Sequence, residues 1–227
     1  MKNKELKRSV EKTEDGSVTL FVPELNEHYH SVHGAIQESN HVFIDAGLHA
    51  VEKESITILE AGFGTGLNAL LTYFDTLQSG KKVHFVTLEK YPLQSAEYEV
   101  LNYGALVNKE EGESVLKQLH EAEWNQKVEI SDHFSITKCH VDMKEVVWQD
   151  IPAIDLVYFD AFAPDKQPDL WSDEIFQSIV DRMNKEAIFT TYCAKGVVRR
   201  SLQAAGLTME RLPGPPGKRE MLRGQKR

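Results

Sequence analysis

The central part of the chain alternates between short apolar runs and longer stretches in which apolar residues recur at helical spacing. The apolar runs predict strands at residues 55–60, 82–89, 134–141, 154–159 and 187–192. The amphipathic stretches predict helices at residues 67–77, 92–106, 172–183 and 195–205, the second of them opened by a proline. Strands that alternate with helices are typical of a mainly parallel, doubly wound α/β sheet, with its ligand site at the carboxyl ends of the strands.

Both ends of the chain depart from this alternation. An alternating stretch at 7–13, an Asp-Gly turn and an apolar run at 18–22 predict a small β appendage, and residues 34–49 have helical spacing. Two apolar runs, 207–212 and 219–223, flank PGPPGK and predict an antiparallel hairpin at the sheet edge. We therefore expect an N-terminal β appendage and a helical leading segment over residues 1–54, and a Rossmann-like domain over residues 55–227.

The first central strand runs into ILEAGFGTGLNALL, in which Gly62, Gly64 and Gly66 alternate with other residues. Glycines allow a sharp turn from strand to helix and a close approach of the backbone to a ligand. The dinucleotide fingerprint G-x-G-x-x-G places its third glycine one position later. Glu60, two residues before the turn, would repel a pyrophosphate but attract the ammonium group of an amino acid. The pattern therefore predicts S-adenosylmethionine rather than NAD.

Acidic residues also stand at the ends of the next two strands. Glu89 ends the second strand, 23 residues beyond Gly66, where a carboxylate accepts hydrogen bonds from ribose hydroxyls. Asp142 follows the third strand, where an adenine amino group needs an acceptor. An isolated acid at a strand end is also compatible with a surface role, but three at successive strand ends, with the glycines, favour a nucleotide-like cofactor.

The fourth strand ends in FDAFAPDKQPDLW, in which Asp160 is expected at the mouth of the cleft. Phe162 and Trp171, in a segment restrained by prolines, are expected to form a rigid, partly apolar wall around it. Two roles are open for these rings and for Tyr91: stacking on a substrate base, or packing within the cleft wall. A carboxylate at this point can hold the N–H groups of an amine acceptor and orient its lone pair. We expect Asp160 to anchor the amine with an ordinary carboxyl pKa of about 4 rather than to act as a strong base.

The charge distribution is uneven. The net charge of −9 argues against a general nucleic-acid binder, yet residues 195–227 contain nine Lys or Arg and two Glu. Such asymmetry indicates a localised contact with a polyanion, although a solvated helix face has the same composition. The candidate phosphate contacts are Lys195, Arg199, Arg200, Lys218 and Arg219.

Other features narrow the class of protein. There is no apolar run long enough to cross a membrane and no apolar core of a signal peptide, and two cysteines cannot make a disulfide framework. These features predict a cytoplasmic protein without a membrane partner. The histidines at positions 28, 30, 33 and 41 do not have zinc-finger spacing, so no metal site is predicted.

Several segments together resemble the methyltransferase part of the MnmC family of tRNA wobble-uridine modification enzymes. The segments are EAGFGTGLNALL, LEKYPL, YFDAFAPDKQPDLW, TYCAKGVVRRSLQAAG, LPGPPGKREM and YHSVHGAIQESNHVFIDAGL, and the resemblance covers about residues 18–223. It implies a class I methyltransferase that uses S-adenosylmethionine. The implied substrate is the aminomethyl group at C5 of the wobble uridine, which becomes 5-methylaminomethyl(-2-thio)uridine. The resemblance also implies Asp160 as the residue that holds the substrate amine, with Asn68, Glu89 and Asp142 beside the glycine turn at the cofactor and Glu38 near the methyl donor.

Many members of that family carry a second, flavin-dependent oxidase domain. Because this chain stops just after its last predicted strand, we expect no FAD and an aminomethyl group that other enzymes supply. The expected partner is the anticodon arm of tRNA, and not DNA. Two alternatives remain open: a methyl- or aminopropyltransferase for small amines or polyamines, and a non-catalytic regulator that binds the cofactor.

Overall fold

A computed structural model describes residues 6–227, and two β-sheets organise this part of the chain. The smaller sheet is antiparallel and contains β1 (Ser9–Lys12), β2 (Val18–Val22) and β3 (Glu27–His28). It confirms the predicted β appendage and adds the short strand β3. The first five residues of the predicted N-terminal segment lie outside the described residues.

The larger sheet has eight strands in the order β10-β11-β9-β8-β4-β5-β7-β6. Their bounds are β4 Ser55–Ala61, β5 Lys82–Glu89, β6 Lys127–Ser131, β7 Phe134–His140, β8 Ile154–Phe159, β9 Met183–Thr191, β10 Leu207–Pro213 and β11 Glu220–Lys226. The five central strands are parallel, while β6, β10 and β11 run antiparallel to their neighbours. The mostly parallel sheet and the C-terminal hairpin of β10 and β11 are therefore confirmed.

Seven α-helices connect these strands within the described residues. They are α1 Ala35–Ser39, α2 Leu67–Ser79, α3 Ser95–Tyr98, α4 Tyr103–Val107, α5 Gly112–Glu121, α6 Asp173–Arg182 and α7 Gly196–Ala204. A π-helical turn over Asn40–Asp45 directly follows α1. Among residues 6–227, no helix has both the length and the apolar content that crossing a membrane requires.

The central strands bury side chains on both faces of the sheet. In β4, Ile58 belongs to one apolar core, which also contains residues of α2 and α5, and Leu59 belongs to the other, which contains residues of α6 and α7. Near-continuous apolar runs are expected for parallel strands that helices cover on both sides. The N-terminal segment contributes Leu20, Phe43 and Leu48 to the first core. The boundary between residues 54 and 55 stays a prediction.

The single helix predicted over residues 92–106 is wrong. α3 begins only at Ser95, where Gln94 and Glu97 form a capping box, and α4 follows after a break. The break contains Asn102, whose side-chain oxygen accepts from the Val18 amide at 3.0 Å and whose side-chain amide donates to a carbonyl of the appendage turn. These bonds to the β appendage outweigh the local helical pattern. Strand β6, which pairs with β7 at the sheet edge, was not predicted either.

Two glycines allow α4 and α5 to meet backbone to backbone. A Cβ atom on Gly112 would overlap the carbonyl group of Gly104, and a Cβ atom on Gly104 would overlap the backbone of Glu113. The contact sets the position of α5, which carries His120. The ring Nε2 of His120 lies 3.0 Å from the carbonyl oxygen of Thr65, within the glycine-rich turn. Packing far from the cleft therefore supports the loop that forms it.

We expect Gly112→Ala to lower the free energy of unfolding by about 1–3 kcal/mol, the usual cost of forcing an extra carbon into a packed contact. The measurement is the urea midpoint at neutral pH. Gly196→Ala, at the first position of α7, is the matched control because its Cβ would approach only the guanidinium end of Arg200, at 3.3 Å. Equal midpoints for the two variants would contradict the assigned contact.

Candidate active site

The carboxyl ends of the central strands open into a cleft of about 820 Å³. The cleft is lined by the N-terminal segment, by the glycine-rich turn after β4, by the residues that follow β5, β7, β8 and β9, and by the turn of the C-terminal hairpin. The predicted site residues that line it are Glu38, Gly62, Gly64, Asn68, Glu89, Asp142, Asp160, Phe162 and Lys218. The structure thus brings together residues that lie up to 180 positions apart in the sequence.

The turn between β4 and α2 requires glycine for two separate reasons. Gly62, Gly64 and Gly66 have φ angles of 95°, 49° and 74°, in the left-handed region that favours glycine. In addition, a Cβ atom on Gly64 would lie 2.9 Å from the ring of Tyr29. Gly66 does not line the cleft; it is the N-cap of α2 and faces His120. The turn therefore presents bare backbone to the cleft beneath Tyr29.

Glu89 holds this turn from the end of the neighbouring strand. One of its carboxylate oxygens accepts from the Gly64 amide at 2.9 Å and the other from the Tyr91 amide at 2.7 Å. An ionised carboxylate has about four acceptor positions, so further hydrogen bonds are available on the side that faces the cleft. The residue therefore suits a ligand that presents hydroxyl groups.

Glu60 lies below the turn and is fully buried. Its Oε2 atom accepts from the Thr87 hydroxyl at 2.7 Å, whereas Oε1 has no hydrogen-bond partner. Burial raises the pKa of this carboxyl well above its ordinary value. Buried acceptors are normally satisfied, so an unpaired oxygen beneath the turn suits a ligand group or water that donates a hydrogen bond. Glu60 does not itself line the cleft.

Asp160 lies directly after β8, half-buried against α2. Its Oδ2 atom accepts from the side-chain amide of Asn68 at 2.8 Å. Burial, reinforced by the negative charge of Glu38, raises the pKa of Asp160 to about 8, although Asn68 and Lys218 oppose the shift. The expected ordinary pKa is therefore wrong, because the sequence does not reveal how far the folded chain removes this carboxyl from water.

Asp142 is engaged by its own neighbours. Its Oδ2 atom accepts from the Lys90 ammonium at 2.6 Å and its Oδ1 atom from the Lys144 amide at 3.0 Å. Burial acts to raise the pKa of Asp142, but these hydrogen bonds prevail and lower it. A contact with an adenine amino group stays a prediction for this residue.

The two predicted wall aromatics have different positions. Phe162 lines the cleft and meets Tyr29 edge to face, with ring centroids 5.0 Å apart. Trp171 is only 7% exposed, packs on Phe159 and donates its indole N–H to the Phe162 carbonyl at 2.8 Å. Trp171 does not line the cleft, so its position fits the packing role that the sequence left open for it. It holds the wall from behind because the apolar core takes up its large ring.

The five predicted phosphate contacts do not lie on one common surface. Arg200 and Arg219 are exposed, and Lys195 pairs with the exposed Asp165. Arg199 is half-buried and donates to the side chain of Gln203. Lys218 instead turns into the cleft, as described below, so four of the five candidate phosphate contacts remain on or near the outer surface.

Several cleft residues were missed by the sequence analysis. Tyr29 and Tyr192 lie in segments that carry the family resemblance, but no spacing rule singles them out. His30 is buried, bonds the Thr65 hydroxyl at 2.7 Å and has a pKa lowered to about 4 by burial, so it is neutral at pH 7. Over residues 6–227, no group of three His, Cys, Asp or Glu side chains is arranged to hold a metal ion.

Asp160 gives a pH-dependent prediction. The carboxyl ionises near pH 4 in the unfolded chain and near pH 8 in the folded protein. The stability of the folded state therefore falls as the pH rises from about 4 to 8, because only the unfolded state loses its proton in this range. Asp160→Asn keeps the acceptor for Asn68 but cannot ionise. We expect its free energy of unfolding to exceed that of the wild type increasingly between pH 5 and pH 8.5, as measured by urea denaturation. A gap that stays constant with pH would contradict the raised pKa.

The chain is similar in sequence to a known family and to several known proteins. Residues 108–227 match the family described as S-adenosyl-L-methionine-dependent methyltransferase. The chain is 33% identical over 223 residues to the tRNA 5-methylaminomethyl-2-thiouridine biosynthesis bifunctional protein MnmC of Burkholderia multivorans, which covers 91% of this chain and 33% of that protein. The protein of the same name from Methylobacillus flagellatus is 30% identical over 215 residues, or 87% of this chain and 32% of that protein.

A solved structure has the same fold. The crystal structure of MNMC2 from Aquifex aeolicus superposes with a TM-score of 0.79 at 26% identity, covering 99% of this chain and 72% of that chain. The present chain spans about a third of the length of the curated relatives that it matches. These similarities confirm the predicted MnmC-like fold and S-adenosylmethionine as the cofactor. The chain belongs to the S-adenosyl-L-methionine-dependent methyltransferase family.

Proposed function

We propose that this enzyme methylates the amine of an aminomethyl group at C5 of the wobble uridine in tRNA, giving 5-methylaminomethyl(-2-thio)uridine. The relatives named above carry a tRNA thiouridine product in their names, and this chain corresponds to about a third of their length. The observation that carries the proposal is Asp160, a half-buried carboxyl at the cleft beside the glycine turn, with its pKa raised to about 8.

Bound S-adenosylmethionine supplies a methyl group on a positively charged sulfur, with a neutral thioether as the leaving group. We propose that Gly62, Gly64 and Glu89 hold it, with the unpaired Glu60 oxygen beneath the turn and Asn68 at the start of α2. Asp142 is the proposed adenine contact. Tyr29 packs above Gly64 and forms one wall of this half of the cleft.

The acceptor must be a neutral amine, because an alkylammonium group has no free lone pair. An alkylamine with a lysine-like pKa of about 10.4 is mostly protonated at pH 7. Moving its proton to a carboxyl of pKa 8 costs about 3 kcal/mol, against about 9 kcal/mol for an ordinary aspartate. Asp160 is therefore proposed to anchor the amine and, in its ionised form, to take its proton, which is a larger role than the sequence indicated. With a pKa of about 8, the ionised form is the minor one at pH 7 and becomes the major one above pH 8.

The remaining surface suits a nucleic-acid substrate. Phe162 offers an edge of the cleft on which an unstacked base can lie, as in other sites that read single-stranded RNA. Lys195, Arg199, Arg200 and Arg219 are the proposed phosphate contacts with the anticodon arm, and their effect should weaken as salt rises.

A polyamine is the competing substrate. Six acidic residues line the cleft, namely Glu27, Glu38, Glu89, Asp142, Asp160 and Asp169, and they would attract any cationic amine. The two substrates differ in what they demand of the outer surface: a polyamine gains nothing from Arg199, Arg200 and Arg219, whereas tRNA requires cations there. The experiment on the substrate therefore includes both.

Removal of the Glu89 carboxylate is expected to weaken cofactor binding. Glu89→Ala takes away charged hydrogen bonds worth about 1.5–3 kcal/mol, so the dissociation constant for S-adenosylmethionine should rise roughly 10- to 150-fold in calorimetry. Glu52→Ala, at an exposed position away from the cleft, is the control. An unchanged affinity in the Glu89 variant would contradict the assignment of Glu89 as a residue that binds S-adenosylmethionine.

The proposed reaction is tested by mass spectrometry of nucleosides from tRNA that carries the 5-aminomethyl group, before and after incubation with enzyme and cofactor. The wobble nucleoside should gain one methyl group, while a polyamine panel should gain none. Asp160→Ala should lower kcat/KM by at least about 100-fold, as expected for loss of a proton acceptor. Asp160→Asn should lose less, and Asp173→Asn, on the exposed first turn of α6, should be unaffected. Methylation of polyamines but not of tRNA would overturn the proposal.

A further inference from the structure

Lys218 has surroundings unlike those of the other basic residues near the C-terminus. Its ammonium group forms an ion pair with Glu38 and lies 4.1 Å from the ring centroid of Tyr192. Glu38 is 7% exposed, and its second oxygen accepts from the Ser31 amide at 2.9 Å. The Tyr192 hydroxyl donates to the carbonyl of Ala161, the residue after Asp160, at 2.9 Å. The ammonium group therefore lies within the cleft beside Asp160, although a third of the Lys218 side chain is exposed.

The fold directs this side chain inward. Lys218 lies in the turn between β10 and β11, and its amide donates to the Pro215 carbonyl at 2.9 Å. The N-terminal segment contacts the same turn at two points: His41 bonds the Pro213 carbonyl at 2.8 Å, and His33 packs so closely on Gly217 that a Cβ there would overlap its ring. Arg219, the next residue, points outward and is exposed.

We infer that Lys218 is a positioning residue of the reaction centre, which neutralises Glu38 and sets the charge around Asp160, and is not a phosphate contact. The inference rests on the proposed amine acceptor and assigns this lysine a different task from Arg219 beside it. An ammonium group that is already paired with a carboxylate and covered by an aromatic ring has little left to offer a phosphate.

The charged groups that face Asp160 determine how readily it ionises. Glu60 on β4 and Glu38 on α1 are acidic, Tyr192 after β9 and Asn68 on α2 are uncharged at neutral pH, and Lys218 supplies the positive charge. If the lysine were neutral, Glu38 would be an unpaired buried anion that favours the protonated form of Asp160. At pH 7 a carboxyl of pKa about 8 is ionised in only about a tenth of the molecules, and only this fraction accepts the proton of the substrate amine. Loss of the Lys218 charge would make that fraction smaller still.

The test compares Lys218→Met with Arg219→Met, two changes of one charge at adjacent positions. The first readout is the titration of Asp160 by NMR of carboxyl-labelled aspartate, with the signal assigned by its loss in Asp160→Asn. Lys218→Met should move this titration, and the acid limb of kcat/KM, to higher pH by roughly one unit. The KM for tRNA and its salt dependence should stay as in the wild type. Arg219→Met should leave the titration in place and lower the salt slope by about one.

Two further variants separate charge from structure. Lys218→Arg should restore the wild-type titration because it keeps the charge. The double variant Glu38→Gln/Lys218→Met removes both charges and should return the titration towards the wild type, which also covers the case in which the single variant fails to fold. A Lys218→Met protein that titrates like the wild type but binds tRNA weakly would overturn the inference. Because the NMR titration needs no substrate, it decides the matter even if tRNA proves not to be methylated.

Discussion

The parallel pairing of β4 with β5 and β8 is the constraint on which the site depends. In this register Glu60 lies opposite Thr87 on one side and Tyr158 on the other, so all three strands end at the same edge of the sheet. Because the sheet is covered on both faces, the carboxyl groups at that edge are partly or fully removed from water. Desolvation then raises the pKa of Glu60 and of Asp160. A carboxyl that ionises near neutral pH is a direct consequence of the topology.

The two halves of the cleft are built differently. The proposed cofactor half is a short, local structure in which the glycine turn follows β4 and is supported by Glu89 and by His30 and His120 at Thr65. The proposed acceptor half joins Glu38, Asp160 and Lys218 from three distant parts of the chain. The charge balance around Asp160 therefore depends on contacts between distant parts of the chain.

The β appendage and the C-terminal hairpin both contribute contacts to the cleft. Arg8 is almost fully buried, forms an ion pair with Glu97 at 3.0 Å and donates to the Tyr91 carbonyl at 2.7 Å and to the Tyr29 hydroxyl at 2.9 Å. Tyr29 in turn covers Gly64. On the opposite side, the hairpin turn carries Lys218 to Glu38. The appendage thus bounds the cleft above the glycine-rich turn, and the hairpin bounds it beside Asp160.

The sequence by itself determined the class of fold, the cofactor and most of the acidic residues at the cleft. Periodicity reports which residues face a core, and glycine reports where the backbone must turn, so β5, β8 and the turn after β4 were predicted closely. Local patterns contain no information on distant partners. The bonds of Asn102 to the appendage divided a predicted helix, the core took up Trp171, and the hairpin turned Lys218 towards Glu38. Only the tertiary structure decided these features and the pKa of Asp160, because each depends on what the folded chain places around a side chain and on how much water it leaves there.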